Sequence, residues 1–184
     1  MRASHIWHTL QEGNRRYSSG LSPEWAAGGS EPPHRPLAVV VACSDARVPA
    51  EAVFDQPPGS LFVVRVAGHV LEPAALASVR FAVEILRAEA VVVLGHTACG
   101  AVRAALSTDP VRGLEAIVEP IRHRLERAGG SETLDERSAV ETNVRQTARE
   151  VISHLDEVLS PDLARPEVRP AVCDVATGVV EWIE

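Results

Sequence analysis

Two apolar runs in this chain end abruptly in polar motifs. Val39-Val40-Val41-Ala42 leads into Cys43-Ser44-Asp45-Ala46-Arg47, and Val91-Val92-Val93-Leu94 leads into Gly95-His96-Thr97-Ala98-Cys99-Gly100. Unbroken runs of this kind read as strands buried on both faces, the pattern of a parallel sheet. In open α/β sheets, chemistry collects just beyond the carboxyl ends of such strands. Two strand ends therefore offer Cys43, His96 and Cys99, with Asp45 and Arg47 beside them. Asp45 and Arg47 are two apart on an extended segment, so their side chains can point the same way. A carboxylate and a guanidinium at that range can form a charge-assisted, bidentate pair.

The rest of the chain fits an α/β reading. Ser4 can cap a first helix over His5 to Tyr17, with Ile6, Trp7 and Leu10 on its apolar side. Residues 18–36, rich in Ser, Gly and Pro, read as an extended connection. Leu37 to Ala42 is the first strand. Pro49 opens a short helix reaching Phe54, and Gln56-Pro57-Pro58-Gly59 is a turn. Leu61 to Val66 is the second strand. Pro73 to Arg87 is a helix with Leu76, Val79, Val83 and Leu86 on one face. Glu89 to Leu94 is the third strand, and a helix follows over Gly100 to Leu106. Gly113 to Ala128 is helical in spacing, and Pro120 is expected to kink or divide it. Val140, Val144, Ala148, Val151, Leu155 and Val158 mark a long amphipathic helix. Val168 to Val175 is a fourth strand, and Ala176-Thr177-Gly178 turns it into an antiparallel edge strand over Val179 to Ile183. The expected fold is a mainly parallel central sheet flanked by helices, with that antiparallel strand at the C-terminal edge. We expect one domain over 1–184, made of an N-terminal helix and arm (1–36) and an α/β core (37–184).

Bulk properties narrow the partners. A chain of 184 residues, 46 % hydrophobic, can bury a sizeable core. No apolar run approaches the roughly 20 residues of a membrane span, and no signal-peptide core follows the first residues. The expectation is a cytoplasmic protein without a membrane partner. A net charge of −7 argues against nucleic acid as a partner. Three cysteines, an odd number, do not suggest a disulfide framework. Cys173, inside an apolar run, reads as a small core residue.

Cys, His and Cys are borderline-soft donors that suit zinc. His96 and Cys99 are three apart, which puts both donors on one side of a strand-to-helix turn, and Cys43 arrives from another strand end. Three protein ligands leave one tetrahedral position open, as catalytic zinc sites do. The nearby candidate for a fourth ligand is Asp45. A cysteine-phosphatase reading fails on spacing and charge: only three residues separate Cys43 from Arg47, and Asp45 would repel a phosphate. No glycine-rich nucleotide loop follows any strand.

Cys-Ser-Asp-Ala-Arg at 43–47 followed by Gly-His-Thr-Ala-Cys-Gly at 95–100 resembles the beta-class carbonic anhydrases. Gly13-Asn14-Arg15-Arg16-Tyr17, Leu61 to Arg65 with Ala67-Gly68, and Asp174 to Gly178 are similar to further family segments. The resemblance implies zinc held by Cys43, His96 and Cys99, with Asp45 and Arg47 as the catalytic dyad. Gly100 and Arg65 are the residues it adds as substrate contacts. It implies reversible hydration of carbon dioxide to bicarbonate and a proton by zinc-bound hydroxide. It also implies a homodimer or an assembly of dimers, with the first helix packed on the partner subunit. His34, Val66, His69 and Cys173 depart from the family pattern. His34 and His69 are candidates for carrying the proton, although solvent exposure or core packing is the plainer reading of each. In some family members the aspartate leaves its arginine and closes the zinc site, with help from a tryptophan three residues before the metal cysteine. Here that position is Val40, so an open site is expected. The same chemistry would also suit a carbonyl sulfide or carbon disulfide hydrolase. A third reading is a non-catalytic zinc-binding regulatory module with Asp45 as permanent fourth ligand, and Arg47, which competes for that carboxylate, argues against it.

Overall fold

The structure, a computed structural model, describes residues 3–21, 34–109, 112–129 and 134–184. Most of the expected arm at 18–36 lies outside the described residues. The sheet is built from β1 (Ala38–Ala42), β2 (Leu61–Arg65), β3 (Ala90–His96), β4 (Glu167–Cys173) and β5 (Val180–Trp182). Their order is β2-β1-β3-β4-β5. The first three pairings are parallel, and β5 is antiparallel to β4.

The helices divide between the two faces because the valine runs supply both. Val39, Val41, Val91 and Val93 enter one core with α3 (Pro73–Glu84), α4 (Gly100–Leu106), α5 (Glu115–Arg127) and α6 (Glu136–Val158). Val40, Ala42, Val92 and Leu94 enter a second core with α1 (Ala3–Ser18) and α2 (Ala50–Val53). Alternate residues of one strand thus serve opposite layers.

Three expectations change in detail. Ser4 lies inside α1 and is not its cap, because the chain is already helical at Ala3. Pro120 does not divide α5, which is continuous from Glu115 to Arg127. Ala116, whose carbonyl Pro120 cannot bond, is an exposed residue, where a carbonyl without a helix partner costs least. β3 continues past Leu94, because Gly95 and His96 pair with Val172 and Cys173 of β4. His96 is therefore the last rung of a ladder, not a loop residue.

α1 packs its apolar side on its own sheet. Ile6, Trp7 and Leu10 are buried in the second core, and burying side chains of this size stabilises by roughly 1.5–3 kcal/mol each. The Trp7 indole donates to Glu167 Oε2 at 2.6 Å, and the Arg169 guanidinium lies 4.5 Å from the Trp7 ring centre. Asn14 donates to the carbonyls of Val53 and Gly178 and accepts from the Val180 amide. Gly13 permits this packing: a Cβ there would lie 1.8 Å from the Phe54 carbonyl oxygen.

Candidate metal centre

β1 and β3 are adjacent parallel strands, so their carboxyl ends lie side by side. Cys43 follows β1, His96 ends β3, and Cys99 immediately precedes α4. Ala98 takes a left-handed φ of 54°, a tight turn that brings Cys99 back toward His96. The two sulfurs and a ring nitrogen of His96 all lie within 4.8 Å of one another, and all three residues are buried.

The donor set fits a metal ion. His96 Nδ1 lies 2.9 Å from the Thr97 carbonyl oxygen, which assigns the proton to Nδ1. Its Nε2 is buried with no hydrogen-bond partner. A buried, unpaired nitrogen lone pair is costly in itself. Here it faces two sulfurs, and a ring held by a carbonyl through its other nitrogen is the usual preparation of a metal-binding histidine. The neighbouring Cys99 thiol lowers the Cys43 pKa, aided by His96 and the Gly68 amide against burial. The neighbouring Cys43 sulfur and burial push Cys99 up, against the pull of the Val102 and Ala101 amides. Two adjacent sulfurs pushed in opposite directions suit a divalent cation, which displaces protons from its ligands.

Asp45 stands at the edge of this cluster, its Oδ2 3.9 Å from His96 Nε2. Arg47 Nε donates to Oδ1 at 2.9 Å and Nη2 to Oδ2 at 2.7 Å. This pairing holds the Asp45 carboxyl well below the usual carboxylate range, despite partial burial. Arg47 Nη2 also donates to the Ala98 carbonyl at 3.2 Å, tying the loop after β1 to the loop after β3.

The remaining sequence candidates separate. Arg65, at the end of β2, donates through Nε to the Cys43 carbonyl at 2.9 Å and through Nη2 to the Asp45 carbonyl at 2.5 Å. Its guanidinium clamps the backbone of the loop. Gly100 is the exposed first residue of α4, with nothing within 4 Å of where a side chain would begin. His69 is 2 % exposed, and burial, with Arg124 nearby, lowers its pKa to about 3. It is a core residue and no proton carrier. His34 stacks on Phe62, near the start of β2. The length of β1 separates it from Cys43, so it cannot serve this chain's own cluster.

Sequence reading missed what lies behind Cys43. The Gly68 amide donates to Cys43 Sγ at 3.3 Å. Asn143 Nδ2 lies 3.2 Å from the Gly68 carbonyl and 3.3 Å from His69 Nε2. Arg124, on α5, donates to Asn143 Oδ1 at 3.2 Å and to both oxygens of Glu150. The available signal was the interruption of the α6 apolar stripe, where Asn143 and Thr147 stand among Val140, Val144, Ala148 and Val151. Polar residues at core positions ask for partners.

Fold and site together define an α/β protein whose two strand ends bring together a Cys-His-Cys donor set that fits a metal ion. The chain belongs to the carbonic anhydrase family, whose sequence profile matches residues 38–180. It is 47 % identical over 107 residues to a carbonic anhydrase of Mycolicibacterium smegmatis, covering 55 % of this chain and 52 % of that protein. It is 45 % identical over 106 residues to carbonic anhydrase 2 of Mycobacterium tuberculosis, covering 55 % of this chain and 51 % of that protein. The chain thus spans about half the length of these curated relatives. Among solved structures, a beta-carbonic anhydrase of Aspergillus fumigatus superposes with a TM-score of 0.68 at 27 % identity, covering 82 % of this chain and 76 % of that one. The Coccomyxa beta-carbonic anhydrase gives 0.73 at 20 % identity, covering 98 % of this chain and 83 % of that one, a likeness of fold.

Proposed function

We propose that this chain is a zinc-dependent carbonic anhydrase that hydrates carbon dioxide reversibly to bicarbonate and a proton. One observation carries the reading: the unpartnered His96 Nε2 faces the sulfurs of Cys43 and Cys99 beside an arginine-locked carboxylate. Cys43, His96 and Cys99 would hold the zinc. When bound, the zinc supplies Lewis acidity that makes water a nucleophile near neutral pH.

The chain's own residues do the rest. The Thr97 carbonyl holds His96 in the tautomer that leaves Nε2 free. The Gly68 amide stabilises the Cys43 thiolate. Asp45, kept ionised by Arg47, accepts a hydrogen bond from the attacking water and orients its lone pair. Arg65 keeps that loop in place through two carbonyls. Ser44, Ala46 and Arg47 are exposed, so a released proton passes to solvent there.

The reading extends to one domain, a cytoplasmic location and a homodimer or an assembly of dimers. Phe81 and Ile85, 48 % and 61 % exposed beside edge strand β2, support an interface between copies. Among the described residues no helix is long and apolar enough to cross a membrane. Solved relatives from Sordaria macrospora are tetrameric.

The test is zinc content and carbon dioxide hydration on one sample. About one zinc per chain is expected, with Cys43→Ala, His96→Ala and Cys99→Ala each losing metal and activity. Full occupancy and activity in all three variants would remove the site from these residues. Rapid sulfide release from carbonyl sulfide with negligible carbon dioxide hydration would reverse the choice of substrate.

A further inference from the structure

We propose that Asn143, locked by Arg124, is a positioning residue that fixes the Gly68 amide on the Cys43 sulfur and so sets the metal affinity of the cluster. The inference rests on the metal-site reading above.

Gly68 is held from both sides. Its N–H donates to Cys43 Sγ at 3.3 Å, and its C=O accepts from Asn143 Nδ2 at 3.2 Å. The segment around it is unusual: Gly68 has φ 61° and His69 has φ 46°, consecutive left-handed residues of which one is not glycine. Such backbone persists only where its surroundings over-determine it. The surroundings here are polar and buried. His69 Nδ1 lies 3.2 Å from Thr147 Oγ1, and its Nε2 lies 3.3 Å from Asn143 Nδ2. His69 stays neutral in the interior, so its Nε2 accepts from Asn143 while its Nδ1–H donates to Thr147.

Arg124 decides which end of the Asn143 amide faces Gly68. An amide has a donor end and an acceptor end of nearly equal size. Arg124 Nη1 donates to Oδ1 at 3.2 Å, which leaves Nδ2 to face the Gly68 carbonyl and His69. Glu150 grips the same guanidinium through both oxygens, so the buried cation carries its counter-charge. Gly68 also cannot be replaced by a larger residue that fills its own space. A Cβ there would lie 2.6 Å from Ile121 Cδ1 and 2.9 Å from Ala101 Cβ. The donor to Cys43 is thus a backbone amide, aimed by side chains one layer back. A donor held on the sulfur from behind fixes its orientation toward His96 and Cys99, as the outer partners of a metal ligand do.

The experiment measures zinc affinity by chelator competition, and the sulfur-to-metal charge-transfer band of the cobalt(II)-loaded protein. Asn143→Ala is expected to bind zinc about 10–100-fold more weakly. Its charge-transfer band should move to lower energy, because the Cys43 sulfur loses a donor. Thr147→Val loosens the same histidine but leaves the Gly68 contact, and should keep wild-type affinity and band position. Arg124→Met leaves Asn143 in place but frees its amide to rotate, and partly exposed Glu150 can hydrate. It should lose affinity in the same direction, and it carries the test if Asn143→Ala does not fold. Wild-type affinity and an unmoved band in the folded Asn143→Ala protein, or in Arg124→Met if that alone folds, would overturn the proposal. Equal losses in Thr147→Val would also overturn it, since general loosening of the core would then be the cause. A wild-type chain that binds no zinc would overturn the metal site itself and this inference with it.

Discussion

Arg47 holds Asp45 by two parallel bonds, Nε to Oδ1 at 2.9 Å and Nη2 to Oδ2 at 2.7 Å, and its own amide donates to Oδ1 at 3.0 Å. Three donors on one carboxylate keep it ionised through the whole working range of pH. Replacing Asp45 by Asn preserves shape and volume but removes the charge that Arg47 locks. Asp45→Asn should therefore retain zinc and lose about 10²–10⁴-fold in turnover, measured by stopped-flow hydration on metal-assayed protein. The pair also has an acid signature. The folded pKa of Asp45 lies below its unfolded value of about 3.9, so its stabilisation is present above that value and lost as pH falls through the folded one. Asp45→Asn should lose stability less steeply than wild type in that acid range.

His69 has the opposite history on folding. It starts at 6.5 in the unfolded chain and falls to about 3, chiefly through burial. Between those values the unfolded state binds a proton that the folded state does not. Stability therefore falls as pH drops from about 6.5 toward 3, by up to about 1.4 kcal/mol per pH unit from this residue alone. Asn tolerates left-handed backbone and carries no titrating group. His69→Asn should thus have a shallower slope of unfolding free energy between about pH 5 and 7. Both proteins are stripped of metal for the measurement, so that acid-driven metal release does not contribute. Parallel slopes would mean that His69 does not fold as the neutral form.

Arg65 tests whether the loop backbone matters to the chemistry. Its two bonds run to the carbonyls of Cys43 and Asp45, one on a proposed metal ligand and one on the proposed dyad acid. A lysine ammonium is a point charge and cannot reproduce the fork. Arg65→Lys should keep zinc and lose about 10–100-fold in kcat/KM, the scale of a small misplacement of the dyad. Wild-type kinetics in the zinc-loaded variant would show that the loop holds itself.

The strand ends were legible in the sequence because they are local. An apolar run and the residue that interrupts it lie within ten positions, and the ladder between β1 and β3 then follows from parallel pairing. The convergence of Cys43 with His96 and Cys99 needed only that one long-range step. The roles of Arg65 and His69 were not legible. A guanidinium that faces a ligand and one that clamps two carbonyls have the same one-letter code. Solvent exposure and core packing of His69 cannot be told apart until α6 is placed over it, and that placement depends on Gly95. α1 shows a different limit: an amphipathic helix shows that it has a buried face, but not which layer of the sheet receives it.

Gly95 carries that placement of α6. A Cβ at this position would lie 2.3 Å from Val144 Cγ2 and 3.4 Å from Val140 Cγ1. Neither valine can retreat easily, because both are buried in the same core. Gly95→Ala should destabilise the protein by about 1–3 kcal/mol, as overpacking does. The double variant Gly95→Ala with Val144→Ala should cost less than the sum of the two single changes, because each makes room for the other. Additive losses in urea unfolding would mean that the two sites do not touch.

The last prediction concerns the fourth position of the proposed zinc site. For Asp45 to become a ligand it must give up Arg47, and the pair binds it through two charge-assisted bonds. Those bonds exchange for one metal–oxygen bond, and the guanidinium is left to water. A bound anion could tip that exchange only by favouring the closed state over the open one. The residues that would hold such an anion are committed elsewhere or absent. Arg65 is turned to the loop backbone, with Nε and Nη2 on the Cys43 and Asp45 carbonyls. Val40, at the position where closing family members carry a tryptophan, is buried in the core beneath α1 and offers no side-chain N–H. We therefore expect the zinc-loaded protein, crystallised at a pH of about 8, on the alkaline side of a zinc-water titration, to keep Asp45 on Arg47. An added bicarbonate soak should leave the pair unchanged. An Asp45 oxygen within about 2.0–2.2 Å of zinc, with Arg47 unpaired, would show that the site closes by a route that needs neither residue.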